Sequence, residues 1–129
     1  MKILHIEDSE GLAFVINNVI KSNFSELVED LSITRTATGE LGIELVKKES
    51  LDFIIVDLIF HNNNEMLGGD IIEEINKLCD TQIILLTGLP STATPVKNLL
   101  SKNIVYKFTE KSSDMGNFIK SVSDVLGLK

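Results

Sequence analysis

Five residues that could carry out chemistry stand at or just beyond the ends of apolar segments. Asp57 lies near the end of the run SLDFIIVDLIF (50–60), and the pair Glu7 and Asp8 follows the first apolar segment. Thr87 ends the apolar run at residues 82–87, and Lys111 lies just beyond the run at residues 104–108. An ionised carboxylate is costly to bury unless it is paired, hydrogen-bonded or bound to a metal. These residues therefore either mark strand ends or form a site.

Three carboxylates brought together would repel one another unless a cation lies between them, and oxygen ligands suit Mg²⁺, with Mn²⁺ possible. With a cation bound, Asp57 would stay ionised and could act as an oxygen nucleophile towards a phosphoryl group. The hydroxyl of Thr87 and the ammonium of Lys111 would then bond the phosphoryl oxygens as negative charge moves onto them. Gly88 would leave room for that group to approach.

The elements that must position these residues alternate between strands and helices. Apolar runs predict strands at residues 2–6, 53–58, 82–87 and 104–108. Residues 31–36 alternate between apolar and polar side chains, which predicts a strand with one wetter face, towards an edge of the sheet. Helical stripes of apolar residues lie between them and after the last, at residues 11–22, 37–46, 71–78, 96–100 and 115–126. This alternation predicts an α/β fold with a parallel five-stranded sheet and helices on both faces. Ligands of such sheets bind at the carboxyl ends of the strands.

Composition narrows the function classes. The 129 residues predict one domain, 1–129, with a proper core. Twelve basic against 19 acidic residues give a net charge of −7, which argues against non-specific binding to nucleic acid. A single cysteine, Cys79, favours a reducing cytoplasm. No apolar run is long enough for a membrane span, and the N-terminus does not read as a signal peptide.

The motifs, in order, resemble the receiver domain of two-component response regulators over essentially the whole chain. They are ILHIEDSE (3–10), TATGELGIEL (36–45), DFIIVDL (52–58), IILLTG (83–88) and FTEKSSDMGNFIKSV (108–122). The resemblance implies a flavodoxin-like doubly wound sheet with strand order 2-1-3-4-5. It also implies a stand-alone regulator of the chemotaxis type, with no output domain in this chain unless the chain is a piece of a longer regulator.

The resemblance assigns a role to each candidate residue. Asp57 matches the phosphorylated aspartate, and Glu7 and Asp8 match the metal-binding pair, with Asp8 the more direct ligand. The backbone carbonyl of Ile59 would be a further metal ligand. Thr87 matches the switch hydroxyl, and Lys111 matches the lysine that pairs with the phosphoryl group.

The function implied is that of a signalling phosphoacceptor with intrinsic self-phosphorylation and autodephosphorylation activity, rather than an enzyme in the usual sense. A histidine kinase or a phosphotransfer protein would donate the phosphoryl group from phosphohistidine. Phosphorylation would repack the face formed by the fourth helix, the fifth strand and the fifth helix, which would bind a downstream protein partner. The predicted location is cytoplasmic, without nucleic acid or membrane as partners.

Departures from the family pattern leave alternatives open. Ser112 follows Lys111 where the family usually has proline, and the loop at 59–69 is longer than usual. Lys107 is a second candidate for the site lysine. The alternative function is a pseudo-receiver, an interaction module that works without phosphorylation. A phosphatase with a nucleophilic aspartate is disfavoured because Ile59 replaces its usual second acid, and a flavin carrier because the segment EDSE (7–10) would repel phosphate.

Overall fold

The computed structural model describes residues 1–56, 68–88, 92–110 and 115–127. Strands and helices alternate through these ranges: β1 (Lys2–Ile6), α1 (Glu10–Phe24), β2 (Ser32–Thr36), α2 (Gly39–Lys48), β3 (Phe53–Val56), α3 (Gly68–Leu78), β4 (Gln82–Thr87), α4 (Thr94–Ser101), β5 (Lys107–Glu110) and α5 (Met115–Leu126). The strands form one parallel sheet in the order β2-β1-β3-β4-β5. The predicted fold class is confirmed.

Two hydrophobic cores enclose the sheet, because successive side chains of a strand point to opposite faces. On β3, Ile54 and Val56 pack with residues of α2, α3 and α4. Phe53 and Ile55 pack on the other face with residues of α1 and α5. All four side chains are fully buried, which explains the unbroken apolar run that predicted this strand. The central strand is thereby held from both sides.

The predicted strand at 104–108 is wrong in its bounds, because β5 spans Lys107–Glu110. Ile104 and Val105 pack against the α2–α3–α4 core without belonging to the strand. Pairing with β4 begins at Tyr106, whose N–H donates to the Ile83 carbonyl at 2.9 Å. An apolar side chain can be buried in the core without its backbone pairing with a neighbouring strand. Here Ile104 and Val105 are packed in this way and come before the paired residues of β5.

Other predicted elements differ little from the structure. The strands at 2–6 and 82–87 and the helix at 115–126 have the predicted bounds. β2 lies at the edge of the sheet, as its alternating pattern predicted. Residues 57 and 58 of the predicted third strand lie outside the described residues. None of the described helices is both long and apolar enough to cross a lipid bilayer.

Helix α2 approaches the sheet closely at Gly42. A Cβ atom at this position would lie 2.4 Å from Cδ1 of Ile6 and 3.2 Å from Oγ1 of Thr36. Ile6 is fully buried in β1, so it has little room to move. Gly42 therefore lets α2 seat against the carboxyl ends of β1 and β2.

We expect Gly42→Ala to lower the free energy of unfolding by about 1–3 kcal/mol, because the added methyl overpacks the core. The measurement is urea unfolding followed by circular dichroism. Gly11→Ala is the matched control, because a Cβ atom at Gly11 in α1 would meet nothing within 4 Å. That variant should gain up to about 1 kcal/mol from helix propensity. Equal stability changes in the two variants would contradict the close approach.

Candidate functional site

The carboxyl edge of the sheet brings together three of the predicted site residues. Val56, the last residue of β3, pairs with Ile6 of β1 on one side and with Leu85 of β4 on the other. Glu7 and Asp8 directly follow β1, and Thr87 is the last residue of β4. The acidic pair and the hydroxyl therefore stand at the same edge, on the two strands that flank β3.

Among the acids whose burial the structure describes, Glu7 is the most buried at this edge, with only 1% of its surface exposed. Its backbone N–H continues the β1–β2 ladder by donating to the Thr36 carbonyl at 3.1 Å. Its carboxylate oxygen Oε2 accepts a hydrogen bond from the backbone N–H of Ser9 at 3.3 Å. A buried carboxylate beside a second, half-buried acid is an arrangement that a bound cation would stabilise.

Ser9 joins the acidic turn, residues 7–9, to helix α1. Its side-chain oxygen accepts a hydrogen bond from the Leu12 N–H at 3.3 Å, and its backbone is extended, as expected of an N-cap residue. The helix begins at the next residue, so its positive end lies beside the acidic pair. The turn is thus shaped by the helix cap as well as by the sheet.

Arg35 on β2 contacts the same turn, a contact that the sequence interpretation missed. Its Nε donates to the Glu7 carbonyl and its Nη2 donates to the Asp8 carbonyl, each at 2.9 Å. Arg35 is the only arginine among the 129 residues, and it lies near the end of a strand predicted beside the first. Those two facts were the available signal in the sequence.

Thr87 ends β4 with its side chain almost fully buried, at 1% exposure. In the sheet it lies opposite Glu110 of β5. Gly88, the next residue, is exposed, and a Cβ atom there would meet nothing within 4 Å. Within the described part of the chain, the space at Gly88 is therefore open, and its role in admitting a phosphoryl group stays a prediction.

Lys107, the second candidate for the site lysine, lies away from this edge. It begins β5 opposite Ile84, three positions before the level of Thr87, which is about 10 Å along a strand. Its Nζ forms an ion pair with Oδ2 of Asp124 at 3.3 Å and lies 5.4 Å from the centre of the Tyr106 ring. Its ammonium is thus engaged between β5 and α5.

The remaining predicted site residues, Asp57, Ile59 and Lys111, lie outside the described residues. Within the described ranges, no group of three histidine, cysteine or acidic side chains is placed to hold a metal ion. Of the predicted metal ligands, Glu7 and Asp8 lie within the described residues, and their carboxylate oxygens are ligands that Mg²⁺ accepts. The donor chemistry fits such a cation, and the third carboxylate would have to come from Asp57.

No protein-family model matches the chain. In sequence, the chain is 30% identical over 100 residues to the cell cycle response regulator CtrA of Brucella ovis. That match covers 77% of this chain and 39% of CtrA, so the chain spans well under half the length of the curated relatives it matches. The similarity therefore concerns one part of those longer regulators.

Solved receiver domains share the architecture across nearly all of the chain. A CheY-like response regulator receiver domain from Methanospirillum hungatei has a TM-score of 0.78 at 16% identity, and the match covers 98% of this chain and 93% of that one. The chain has a receiver-domain fold. The receiver domain of a sensor histidine kinase from Pseudomonas aeruginosa has the same TM-score at 19% identity, covering 98% and 97% of the two chains. That receiver domain was solved with a magnesium ion in its active-site cleft.

The resemblance to response-regulator receiver domains that the motifs predicted is confirmed by these comparisons. In this receiver fold, the roles predicted for Asp57, Glu7, Asp8, Thr87, Lys111 and Ile59 stay predictions.

Replacing the cap of α1 tests how firmly the acidic turn is held. We expect Ser9→Ala to lower the free energy of unfolding by about 1 kcal/mol, because the Leu12 N–H loses its acceptor. Ser9→Asn is the matched control, since asparagine caps a helix about as well as serine. Thermal and urea unfolding of the two variants measure the difference. A loss of the same size in Ser9→Asn would show that the cap is not the source of the effect.

Proposed function

We propose that this chain is a response-regulator receiver that accepts a phosphoryl group on Asp57 from the phosphohistidine of a histidine kinase or a phosphotransfer protein. One observation carries the proposal. The acidic pair Glu7–Asp8 and Thr87 flank β3 at its carboxyl edge, and Asp57 is the residue that follows Val56, the end of that strand. A nucleophile there would have cation ligands on one side and a hydroxyl on the other.

Glu7, Asp8 and Asp57, with the backbone carbonyl of Ile59, would hold Mg²⁺, or Mn²⁺ in its place. The bound cation would supply positive charge that offsets the negative charge of the three carboxylates and of the incoming phosphoryl oxygens. The burial of Glu7 next to the half-buried Asp8 supports this assignment, because neighbouring carboxylates repel one another and a cation offsets that repulsion. Asp8, which is half-buried, is the more accessible ligand of the pair.

In the transfer step, a carboxylate oxygen of Asp57 attacks phosphorus. The new P–O bond forms as the P–N bond to the donor imidazole breaks, and that electron pair returns to the imidazole nitrogen. The hydroxyl of Thr87 donates a hydrogen bond to a phosphoryl oxygen, and Lys111 places its ammonium beside another. In the later hydrolysis step, water attacks the same phosphorus, which releases phosphate and regenerates the Asp57 carboxylate.

The signal would leave through the face formed by α4, β5 and α5. A groove of about 420 Å³ lies between β5 and α5 on this side. Charged and polar side chains line it, including Lys107, Lys120, Asn117 and Asp124. A change at Thr87 would reach this face directly, because β4 pairs with β5. A protein partner with charges of both signs suits such a groove better than nucleic acid, which the net charge of −7 repels.

We further propose that residues 1–129 form a single receiver domain that works in the cytoplasm. Its support is the receiver fold, which spans the five described strands.

Phosphorylation of Asp57 is tested by incubating the protein with Mg²⁺ and acetyl phosphate and measuring the intact mass. We expect one added phosphoryl group in the wild type, none in Asp57→Asn and none when EDTA removes the cation. Asp52→Asn is the matched control, because Asp52 precedes the amino end of β3 and its carboxylate accepts a hydrogen bond from the Lys2 N–H at 2.7 Å. That variant should still be labelled.

Two results would overturn the proposal. Labelling that persists in Asp57→Asn would place the phosphoryl group elsewhere. A wild type that stays unlabelled by acetyl phosphate, by a second small donor and by phosphohistidine protein would favour the pseudo-receiver alternative.

The identity of the site lysine is tested by comparing Lys111→Met with Lys107→Met. We expect Lys111→Met to slow phosphorylation by a factor of about 10² or more, because a donor to the developing charge is lost. Lys107→Met should be labelled at nearly the wild-type rate, since the Lys107 ammonium pairs with Asp124. Rates come from the mass change with time at fixed acetyl phosphate. The reverse order of the two variants would transfer the role to Lys107.

A further inference from the structure

The side chain of Arg35 acts as a two-pronged clamp on the backbone of the acidic turn. Its Nε and Nη2 donate to the carbonyl oxygens of two successive residues, Glu7 and Asp8, at 2.9 Å each. Arg35 itself lies opposite His5 in the β1–β2 register. The side chain therefore reaches forward, past the end of β1, to the two carbonyls that follow this strand.

This geometry belongs to arginine. A guanidinium is planar and presents several N–H donors in a fixed arrangement, whereas a lysine ammonium is a compact point charge on a flexible stem. Holding the carbonyls of residues 7 and 8 fixes the peptide units on both sides of the Asp8 Cα atom. The direction in which the Asp8 side chain leaves the backbone is then restricted before any cation arrives.

Arg35 could affect a cation at the acidic pair in two opposite ways. Its positive charge would repel the cation, and its hold on the turn would favour binding by orienting the carboxylates. The charge is spread over a guanidinium that is only partly buried, so solvent and salt screen it. Mg²⁺, in contrast, demands near-ideal octahedral geometry. The orienting effect should therefore dominate.

We propose that Arg35 is a positioning residue for the acidic pair, which pre-orders the turn from Glu7 to Ser9 so that a divalent cation binds there more tightly. The inference rests on the cation site of the proposed function. It goes beyond that function because it assigns a role to a residue on β2 that is none of the predicted metal ligands or phosphoryl-binding residues.

The wild-type protein offers a direct measurement, because a ¹⁵N-labelled sample of a chain with one arginine gives one arginine Nε–H resonance. We expect its hydrogen to exchange with water much more slowly than that of free arginine, as a hydrogen-bonded donor should. We also expect the resonance to shift as MgCl₂ is added, with the same Kd as the backbone amides of residues 7–9. Exchange as fast as in free arginine, or no shift at saturating Mg²⁺, would overturn the inference.

Variants separate orientation from charge. We expect Arg35→Lys, which keeps the charge, and Arg35→Gln, which removes it, both to raise the Mg²⁺ Kd about tenfold, the size typical of losing a residue that orients a metal ligand. Isothermal titration with MgCl₂ measures this in the unphosphorylated protein, and circular dichroism verifies the fold. Unchanged affinity in both variants, or tighter binding in Arg35→Gln, would overturn the inference.

Lys2→Gln is the matched charge control. Lys2 begins β1, and its ammonium pairs with Glu49 at 3.0 Å. The five-residue strand places it about 16 Å from the acidic turn, beyond the roughly 8–10 Å range of screened charges. This variant should bind Mg²⁺ as the wild type does.

The two proposals fail in distinguishable ways. A wild type that does not bind Mg²⁺ overturns the cation site of the proposed function and this inference with it. A wild type that binds Mg²⁺ and is phosphorylated on Asp57, with Arg35 variants of unchanged affinity, overturns this inference alone.

Discussion

The buried carboxylate of Glu7 is the constraint on which the arrangement of this edge depends. It lies next to a second acid, at the point where β1 leaves a sheet covered by apolar side chains on both faces. Charges at such a place interact more strongly than in water, for attraction and for repulsion alike. The surrounding groups answer that constraint: the Ser9 N–H bonds the carboxylate, α1 directs its positive end there, and Arg35 holds the backbone.

The sheet makes these contacts possible by fixing the strand ends in register. Ile6, Val56 and Leu85 are neighbours across β1, β3 and β4, and all three side chains enter the same core. A slip of one residue in either pairing would exchange core and opposite faces along a whole strand. The apolar packing thus determines which residues lie next to one another at the carboxyl edge. The polar residues of the site do not have to contact one another to reach that position.

Much of this arrangement could be predicted from the sequence because the decisive features are local. A strand buried on both faces must be apolar, so a residue such as Glu7 or Thr87 at its end is conspicuous. Two features could not be found in this way. Val105 is buried although it precedes β5, because a connecting segment can pack against a core without pairing. The bonds of Arg35 join residues 27 and 28 positions apart, and no periodicity records such a contact.

Arg35, the chain's one arginine, forms a different kind of contact from the lysines that pair with acidic side chains. Three ion pairs within the described residues involve lysine: Lys2 with Glu49, Lys102 with Glu73 and Lys107 with Asp124. Their side chains are exposed or half-exposed, where such pairs contribute at most about 1 kcal/mol. Arg35 instead bonds two backbone carbonyls in a partly buried turn, a task that needs several donors in one plane. Lysine can neutralise an acid on the surface, whereas orienting the backbone beneath an acidic pair requires the fixed shape of a guanidinium.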